Sequence, residues 1–203
     1  MRLIFVGPQG SGKGTQAKII AKKFGLSHIS TGDLLREVEG SLKAEVDKVM
    51  SSGELVSDEL IGRILKERLE GRDCEKGFIL DGFPRNVSQV LILEGVSGID
   101  KVVEISISDE EAVRRVCGRR NCVKCGAIYN VNMSPKPLLD DVCDECGGEL
   151  MQRKDDNEEA LMKRLEVYHK DTEGILGYYD SVKVDGSKSI KEVSSDILEV
   201  LKI

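Results

Sequence analysis

Three glycines and a lysine, Gly7, Gly10, Gly12 and Lys13, stand at the spacing G-x-x-x-x-G-K. That spacing suits a cradle for a phosphate chain. The glycines let successive backbone N–H groups turn towards one point, and Lys13 brings a mobile positive charge to it. The motif is informative only between a strand and a helix. Here Arg2–Val6 is a short apolar run read as a buried strand, and Ala17, Ile20, Ala21 and Phe24 recur at helical spacing afterwards. The more common form of the motif places Ser or Thr directly after the lysine, as a magnesium ligand. In this chain Gly14 intervenes before Thr15, which puts a direct hydroxyl ligand in question.

Asp81-Gly82-Phe83-Pro84-Arg85 ends another apolar run with an acid. A carboxylate there suits a magnesium ion or its water, with a capping aspartate before the next helix as the alternative. Gly82 allows close backbone approach, Arg85 offers a rigid fork to an anion, and Gln89 one turn on can offer its amide to a base edge. Arg36, Arg119, Arg120, Arg153 and Arg164 recur near irregular stretches. Lys13, Arg36, Arg85, Arg119, Arg153 and Arg164 form a set of six cations of the kind phosphoryl transfer needs, because its catalysis is mostly positioning and charge neutralisation. Asp155 and Asp156 open a long helix. Asp156, with Glu159, is expected to cap it, and Asp155 to pin the neighbouring module or orient a base.

Cys122-x-x-Cys125 and Cys143-x-x-Cys146 are two C-x-x-C pairs, each followed directly by glycine. This spacing reads as a four-cysteine zinc site, the alternatives being two disulfides or iron. Four protein ligands leave no open position, so such a metal is structural. Cys117 is expected to pack within a helix and Cys74 to be incidental.

Five short runs are expected to form the sheet that positions these groups: 2–6, 26–29, 77–81, 102–107 and 182–185. Between them lie helical stretches begun by Thr31, Ser57, Ser108 with Glu111, and Ser189 with Glu192. A short helix at 42–50 is also expected. The alternation implies a P-loop three-layer α/β/α fold with a five-stranded parallel sheet. Ligands in such sheets sit at the carboxyl ends of the strands. From Asn121 to about Arg153 the periodicity stops, and cysteine, glycine and two prolines dominate.

The composition narrows the function classes. The 203 residues are 40% hydrophobic and 33% charged, enough for one such domain with small insertions. The net charge of −6 argues against non-specific nucleic-acid binding, and 4% aromatics with no Trp leave no stacking platform. No apolar run approaches a membrane span, and because the first residues lead straight into a strand no signal peptide is expected. A cytoplasmic monomer is expected.

Several stretches together resemble one family. They are 7–16 (GPQGSGKGTQ), 30–33 (STGD), 55–59 (LVSDE), 81–85 (DGFPR), 118–120 (GRR), 153–156 (RKDD) and 184–186 (VDG). The chain resembles the adenylate kinases of the long form with a zinc-bearing lid. The resemblance implies reversible transfer from MgATP to AMP, giving two ADP. It implies that Gly10, Ser11, Gly12, Lys13, Gly14 and Thr15 hold the ATP phosphates, joined by Arg119, by backbone near Ile128 and Tyr129, and by Lys188. It implies that Thr31, Arg36, Glu54, Leu55, Val56, Gly82, Phe83, Pro84, Arg85 and Gln89 hold AMP. Arg153 and Arg164 would meet AMP and the moving phosphoryl, and Asp155 would be catalytic. Asp81 would stand behind the magnesium waters, and Cys122, Cys125, Cys143 and Cys146 would hold zinc. The implied division is a core at 1–29, 57–117 and 157–203, an AMP clamp at 30–56 and a lid at 118–156. The segment 38–48 is shorter than is usual in the family, and Glu54 replaces a residue that is often basic. The rival readings are a UMP/CMP or GMP kinase on the same scaffold, and a nucleotide-gated zinc-knuckle binding protein.

Overall fold

The computed structural model describes residues 1–52, 54–153 and 155–202. Five strands, β1 (Arg2–Val6), β2 (Ser27–Ser30), β3 (Phe78–Asp81), β4 (Lys101–Ser106) and β8 (Ser181–Asp185), form one parallel sheet in the order β2-β3-β1-β4-β8. Side chains alternate across it with period two. Ile4, Val6, Leu80 and Val102 face one apolar layer, built with Ile61, Leu65, Val90 and Leu93. Leu3, Phe5, Ile79, Val103 and Ile105 face the other, built with Ala17, Ile20, Val193 and Ile197. Both faces are covered, which is why these strands read as continuous apolar runs. Ile79 is fully buried. Truncating such a residue to alanine costs roughly 2–5 kcal/mol, a large part of a domain's stability.

Helices α1 (Lys13–Phe24) and α8 (Ile190–Val200) pack together on one face. The other face carries α4 (Asp58–Leu69) and α5 (Val87–Glu94). Between β2 and α4 lie α2 (Thr31–Arg36) and α3 (Lys43–Ser51), the latter entered through a 3-10 turn at Gly40–Leu42. α6 (Asp109–Cys117) and α7 (Glu158–Val167) pack on each other through Ala112, Val116, Leu161 and Leu165. Past Val167 the helical path continues as a π turn at Tyr168–Thr172 and a 3-10 stretch at Glu173–Tyr178.

The cysteine-rich stretch is more regular than its sequence predicts. β5 (Arg119–Cys122), β6 (Ile128–Asn130) and β7 (Leu150–Met151) form a small antiparallel sheet in the order β6-β5-β7. Its strands are two to four residues long, too short for a visible hydrophobic period. Its interior consists of Cys122, Tyr129, Cys143 and Leu150.

Several caps differ from expectation. Ser30, not Thr31, caps α2, its hydroxyl accepting from the Asp33 N–H at 3.2 Å. Asn157, not Asp156 or Glu159, caps α7 by accepting from the Ala160 N–H at 2.9 Å. α5 is capped by Asn86, not Asp81. Ser108 caps α6, but the Glu111 carboxylate does not return to it; Arg114 and Arg115 hold it at 2.7 and 2.6 Å. Two opposite charges one helical turn away outcompete a single backbone N–H. Ser189 and Glu192 do form the full reciprocal box. The two lone cysteines exchange roles: Cys117 is exposed, while Cys74 is buried in the core beside Arg68 Nη1 at 3.3 Å.

Candidate active site

The parallel sheet brings the candidate residues to one edge. Phe5 and Ser30 are both in register with Asp81, so the turns after β1, β2 and β3 leave the sheet side by side. The turn after β8 joins them through Gly186 and Lys188. Together they wall a cavity of about 530 Å³.

The phosphate-type loop forms the floor. Gly12 takes φ +90° at the start of α1, a conformation that a side chain disfavours. α1 begins with no side-chain cap and no acidic residue in its first turn, whereas α2, α4, α5, α6, α7 and α8 are all capped by Ser or Asn. Its first N–H groups therefore have no side-chain cap, and the residues that carry them, Lys13, Gly14 and Thr15, line the cavity with the positive end of the helix dipole behind them. The Ser11 hydroxyl is buried without a hydrogen-bond partner among the described residues. An oxyanion seated here would satisfy all of these donors. Arg115, not foreseen from the sequence, braces the loop by donating to the carbonyls of Gly10 and Gly186 at 3.4 and 2.9 Å.

The six expected cations Lys13, Arg36, Arg85, Arg119, Arg153 and Arg164 all line this one cavity, together with Lys18, Arg115 and Lys188. Burial pushes the Lys13 amine down to about 8; Asp81 opposes this, and Arg85, Arg119 and Arg164 reinforce it. Burial, with Arg164 and Arg36 nearby, lowers Arg85 to about 10. Burial, with Arg119 and Arg36 nearby, lowers Arg153 to about 10. Cations held so close and partly out of water favour an anion of several charges in the space between them.

The acids in the cavity hold these cations in place. Asp155 Oδ2 accepts from Arg164 at 2.7 Å and from Arg36 at 3.2 Å, so it joins α7 to α2. Burial raises the Asp155 carboxyl, but Arg164 and Arg36 outweigh it and the net shift is downward. Asp156 pairs with Arg119 through both carboxylate oxygens, one contact being 2.8 Å. Asp81 is buried, and its Oδ2 lies 3.4 Å from His28 Nε2. Burial pushes its pKa up, His28 and Lys13 pull it down, and the net shift is downward. His28 lines the cavity as well; a single His on an alternating strand gave no signal in the sequence.

Thr31 is buried and donates to the Gly82 carbonyl at 2.9 Å, tying α2 to the turn after β3. Leu55, Val56, Phe83, Ile128 and Tyr129 give the cavity its apolar surface. The Glu54 carboxylate is drawn to Lys163 at 2.6 Å, leaving its backbone at the wall. The Lys188 ammonium turns away to Asp196 at 2.7 Å. Pro84 alone among the expected contact residues does not line the main cavity; it lines a small pocket behind Arg85. The Gln89 amide is bonded at both ends, to Asp58 and to the Arg85 N–H.

The four cysteine sulfurs of the small sheet lie within 4.8 Å of one another. Gly126 and Gly147, just after Cys125 and Cys146, take φ +71° and +67°, which turns each knuckle back on itself. The Lys124 N–H points at Cys122 Sγ from 3.4 Å. Backbone N–H groups, that of Cys125 foremost, hold the Cys122 thiol down to about 6. Four convergent sulfurs fit a tetrahedral soft-ligand metal.

Fold and cleft together define a phosphate-loop α/β protein with a cation-lined site at the carboxyl edge of its sheet. The family profile described as Adenylate kinase matches residues 5–184. An Archaeoglobus fulgidus adenylate kinase is 45% identical over 214 residues, covering 100% of this chain and 98% of its own. One from Caldanaerobacter subterraneus is 45% identical over 99% of this chain and 96% of its own, and one from Geobacter is 44% identical over the whole of both. The chain belongs to the adenylate kinase family.

Proposed function

We propose that the chain transfers the terminal phosphoryl of MgATP reversibly to AMP, giving two ADP. The observation that carries this reading is the gathering of Lys13, Arg36, Arg85, Arg119, Arg153 and Arg164 from separate parts of the chain around one cavity, with the uncapped end of α1 at its floor. In this reading Gly10 to Thr15 hold the ATP phosphates, and Arg119 with the backbone at Ile128, Tyr129 and Lys188 completes the donor side. Thr31, Arg36, Glu54 to Val56, Gly82 to Arg85 and Gln89 form the AMP side. Arg153 and Arg164 face both and neutralise charge on the phosphoryl in flight. Asp155 holds Arg36 and Arg164 at their stations.

Magnesium bound with ATP would supply charge neutralisation across the phosphates, with Asp81 orienting its water shell. The near contact of Asp81 with Gly14 suits that place behind the ion. Zinc would be held by Cys122, Cys125, Cys143 and Cys146 and would stiffen the small sheet. We also read the chain as a core at 1–29, 57–117 and 157–203, an AMP clamp at 30–56 and a zinc lid at 118–156, acting as a cytoplasmic monomer. Closing clamp and lid over two nucleotides would exclude water, so that the phosphoryl passes to AMP and not to hydroxide. The test is a coupled assay with MgATP and AMP, CMP, UMP or GMP side by side. ADP formation fastest with AMP is expected; equal or faster rates with another monophosphate overturn the assignment.

A further inference from the structure

We infer that Asp58 is a positioning residue that fixes the Gln89 carboxamide in one orientation and thereby decides which purine edge the acceptor side takes. The inference rests on the reading of this cleft as a site for AMP. Asp58 opens α4, next to its Ser57 cap. Its Oδ1 accepts from Gln89 Nε2 at 2.7 Å and from Asn86 Nδ2 at 3.1 Å. At the other end of the same amide, Gln89 Oε1 accepts from the Arg85 backbone N–H at 2.8 Å. Asn86 in turn accepts the Gln89 N–H at 2.9 Å, closing the network.

The inventory of donors and acceptors makes this arrangement directional. A carboxylate can only accept, and a backbone N–H can only donate. Both contacts therefore require the same placement of oxygen and nitrogen. Turning the amide over would set its oxygen against the carboxylate and its NH₂ against an N–H, so two bonds would become two repulsions. Gln89 is 3% exposed, so a turned-over amide finds little water to replace the two lost partners.

One amide proton and one lone pair are left over, one at each end of the same amide. Such an acceptor and donor match the 6-aminopurine edge, whose amino group donates and whose N1 accepts. A 6-oxopurine presents the reverse pair. A free carboxamide could rotate to meet either, since its last torsion is broad and roughly two-fold. Held by Asp58, it meets one and opposes the other. Discrimination against the oxo base thus belongs to the Asp58–Gln89 pair and not to Gln89 alone.

The test compares AMP with IMP, which differ at the 6-substituent and the N1 proton that goes with it. Dissociation constants for AMP, IMP and ATP are measured by equilibrium dialysis for the wild type, Asp58→Asn, Gln89→Ala and the double variant, alongside turnover. Asparagine matches the size of Asp58 but can present either end of its amide. The expected result is a fall of about tenfold or more in the AMP:IMP affinity ratio for Asp58→Asn, with ATP affinity within about twofold of wild type. In the Gln89→Ala background the same change should leave the ratio where it is. Asp58→Ala, which removes the acceptor outright, should relax the ratio in the same way and serves if the asparagine variant folds poorly. An unchanged ratio in both Asp58 variants, or an equal change with and without Gln89, overturns the proposal, as does a wild type that binds IMP as well as AMP. If the wild type discriminates and the Asp58 variants do not, yet no ADP forms, the proposal stands and the assigned reaction falls.

Discussion

Gly14 and Asp81 meet across the phosphate loop: a Cβ at position 14 would lie 2.9 Å from Asp81 Oδ2. The absence of Ser or Thr directly after Lys13 thus has a steric cause. Space that a hydroxyl side chain would fill is taken by a buried carboxylate from the neighbouring strand. Gly14 also lies in the first turn of α1, where alanine is preferred over glycine by up to about 1 kcal/mol. Because the added methyl must also push the buried Asp81 carboxylate aside, Gly14→Ala should not raise the melting temperature, and it should lower kcat/KM for ATP about tenfold or more. Retained activity would show that Asp81 can move without consequence.

Lys13 lines the floor of the cavity and donates to the Pro8 carbonyl at 3.1 Å. Its amine, lowered to about 8, is charged below that pH and neutral above it in the free protein. Bound phosphates favour the charged form, so nucleotide binding at pH 9 should take up a proton, and binding at pH 6.5 should not. Calorimetry in buffers of differing ionisation enthalpy measures this directly. Lys13→Met should remove the uptake and cut turnover by roughly 10²–10³ or more, with the circular dichroism spectrum unchanged.

The interior of the small sheet is made partly from its own candidate ligands, Cys122 and Cys143. Cys143→Ser with Cys146→Ser should lower the bound zinc measured by elemental analysis and loosen the small sheet, seen as faster amide exchange over 119–151. Exchange in β1, β3 and β4 should stay slow. Unaltered metal content in the double variant would refute the four-cysteine assignment.

Asp155 and Arg164 have side chains only 10% and 11% exposed. Neutralising the acid leaves two arginines short of an anion. Asp155→Asn should destabilise the free enzyme, by about 3 kcal/mol at most. Its lowered carboxyl pKa means that this stability is present above the ordinary aspartate range and is lost as pH falls below it. AMP phosphate can stand in for the missing charge, so AMP should raise the melting temperature of the variant more than that of the wild type. Equal increments would exclude the exchange of one anion for another.

On the outer surface, His169 Nε2 lies 3.0 Å from Asp109 and Nδ1 2.9 Å from Glu173. Asp109 first, then Glu173, raises the imidazole pKa. The charged clasp is complete below the ordinary histidine value and is lost as pH climbs through the raised one. The side chain is 45% exposed, so solvent screening holds the effect to under about 1 kcal/mol. His169→Gln should be slightly less stable than wild type at pH 6 and equal to it at pH 9 in urea titrations.

Most of the cleft was legible because its chemistry is carried by short contiguous runs. The sheet was legible because strands covered on both faces are apolar without interruption. What escaped was decided between neighbours of similar type. Ser30 and Thr31 are both good caps, and only the exit angle of β2 chooses between them. Asn157 wins α7 because Asp156 is drawn off by Arg119, a contact from 37 positions away that no local window contains. Cys74 and Cys117 look alike in sequence, yet one sits under the Arg68 side chain and the other at the open end of α6. Asp58 stood in a matching run but carried no expected role, and His28 stood in none; their partners arrive from β3 and α5 only once the sheet has formed.

The packing of α6 against α7 has a modular consequence. Ala112 and Val116 meet Leu161 and Leu165 beneath the cysteine-rich sheet, and Arg119 meets Asp156 where the chain goes in and comes back. The two ends of that stretch are thus held together by the helices below, whatever lies between. Chain inserted at such a pinched neck is a cassette. It can be lengthened, shortened or exchanged for a turn without shifting the register of a single strand in the parallel sheet.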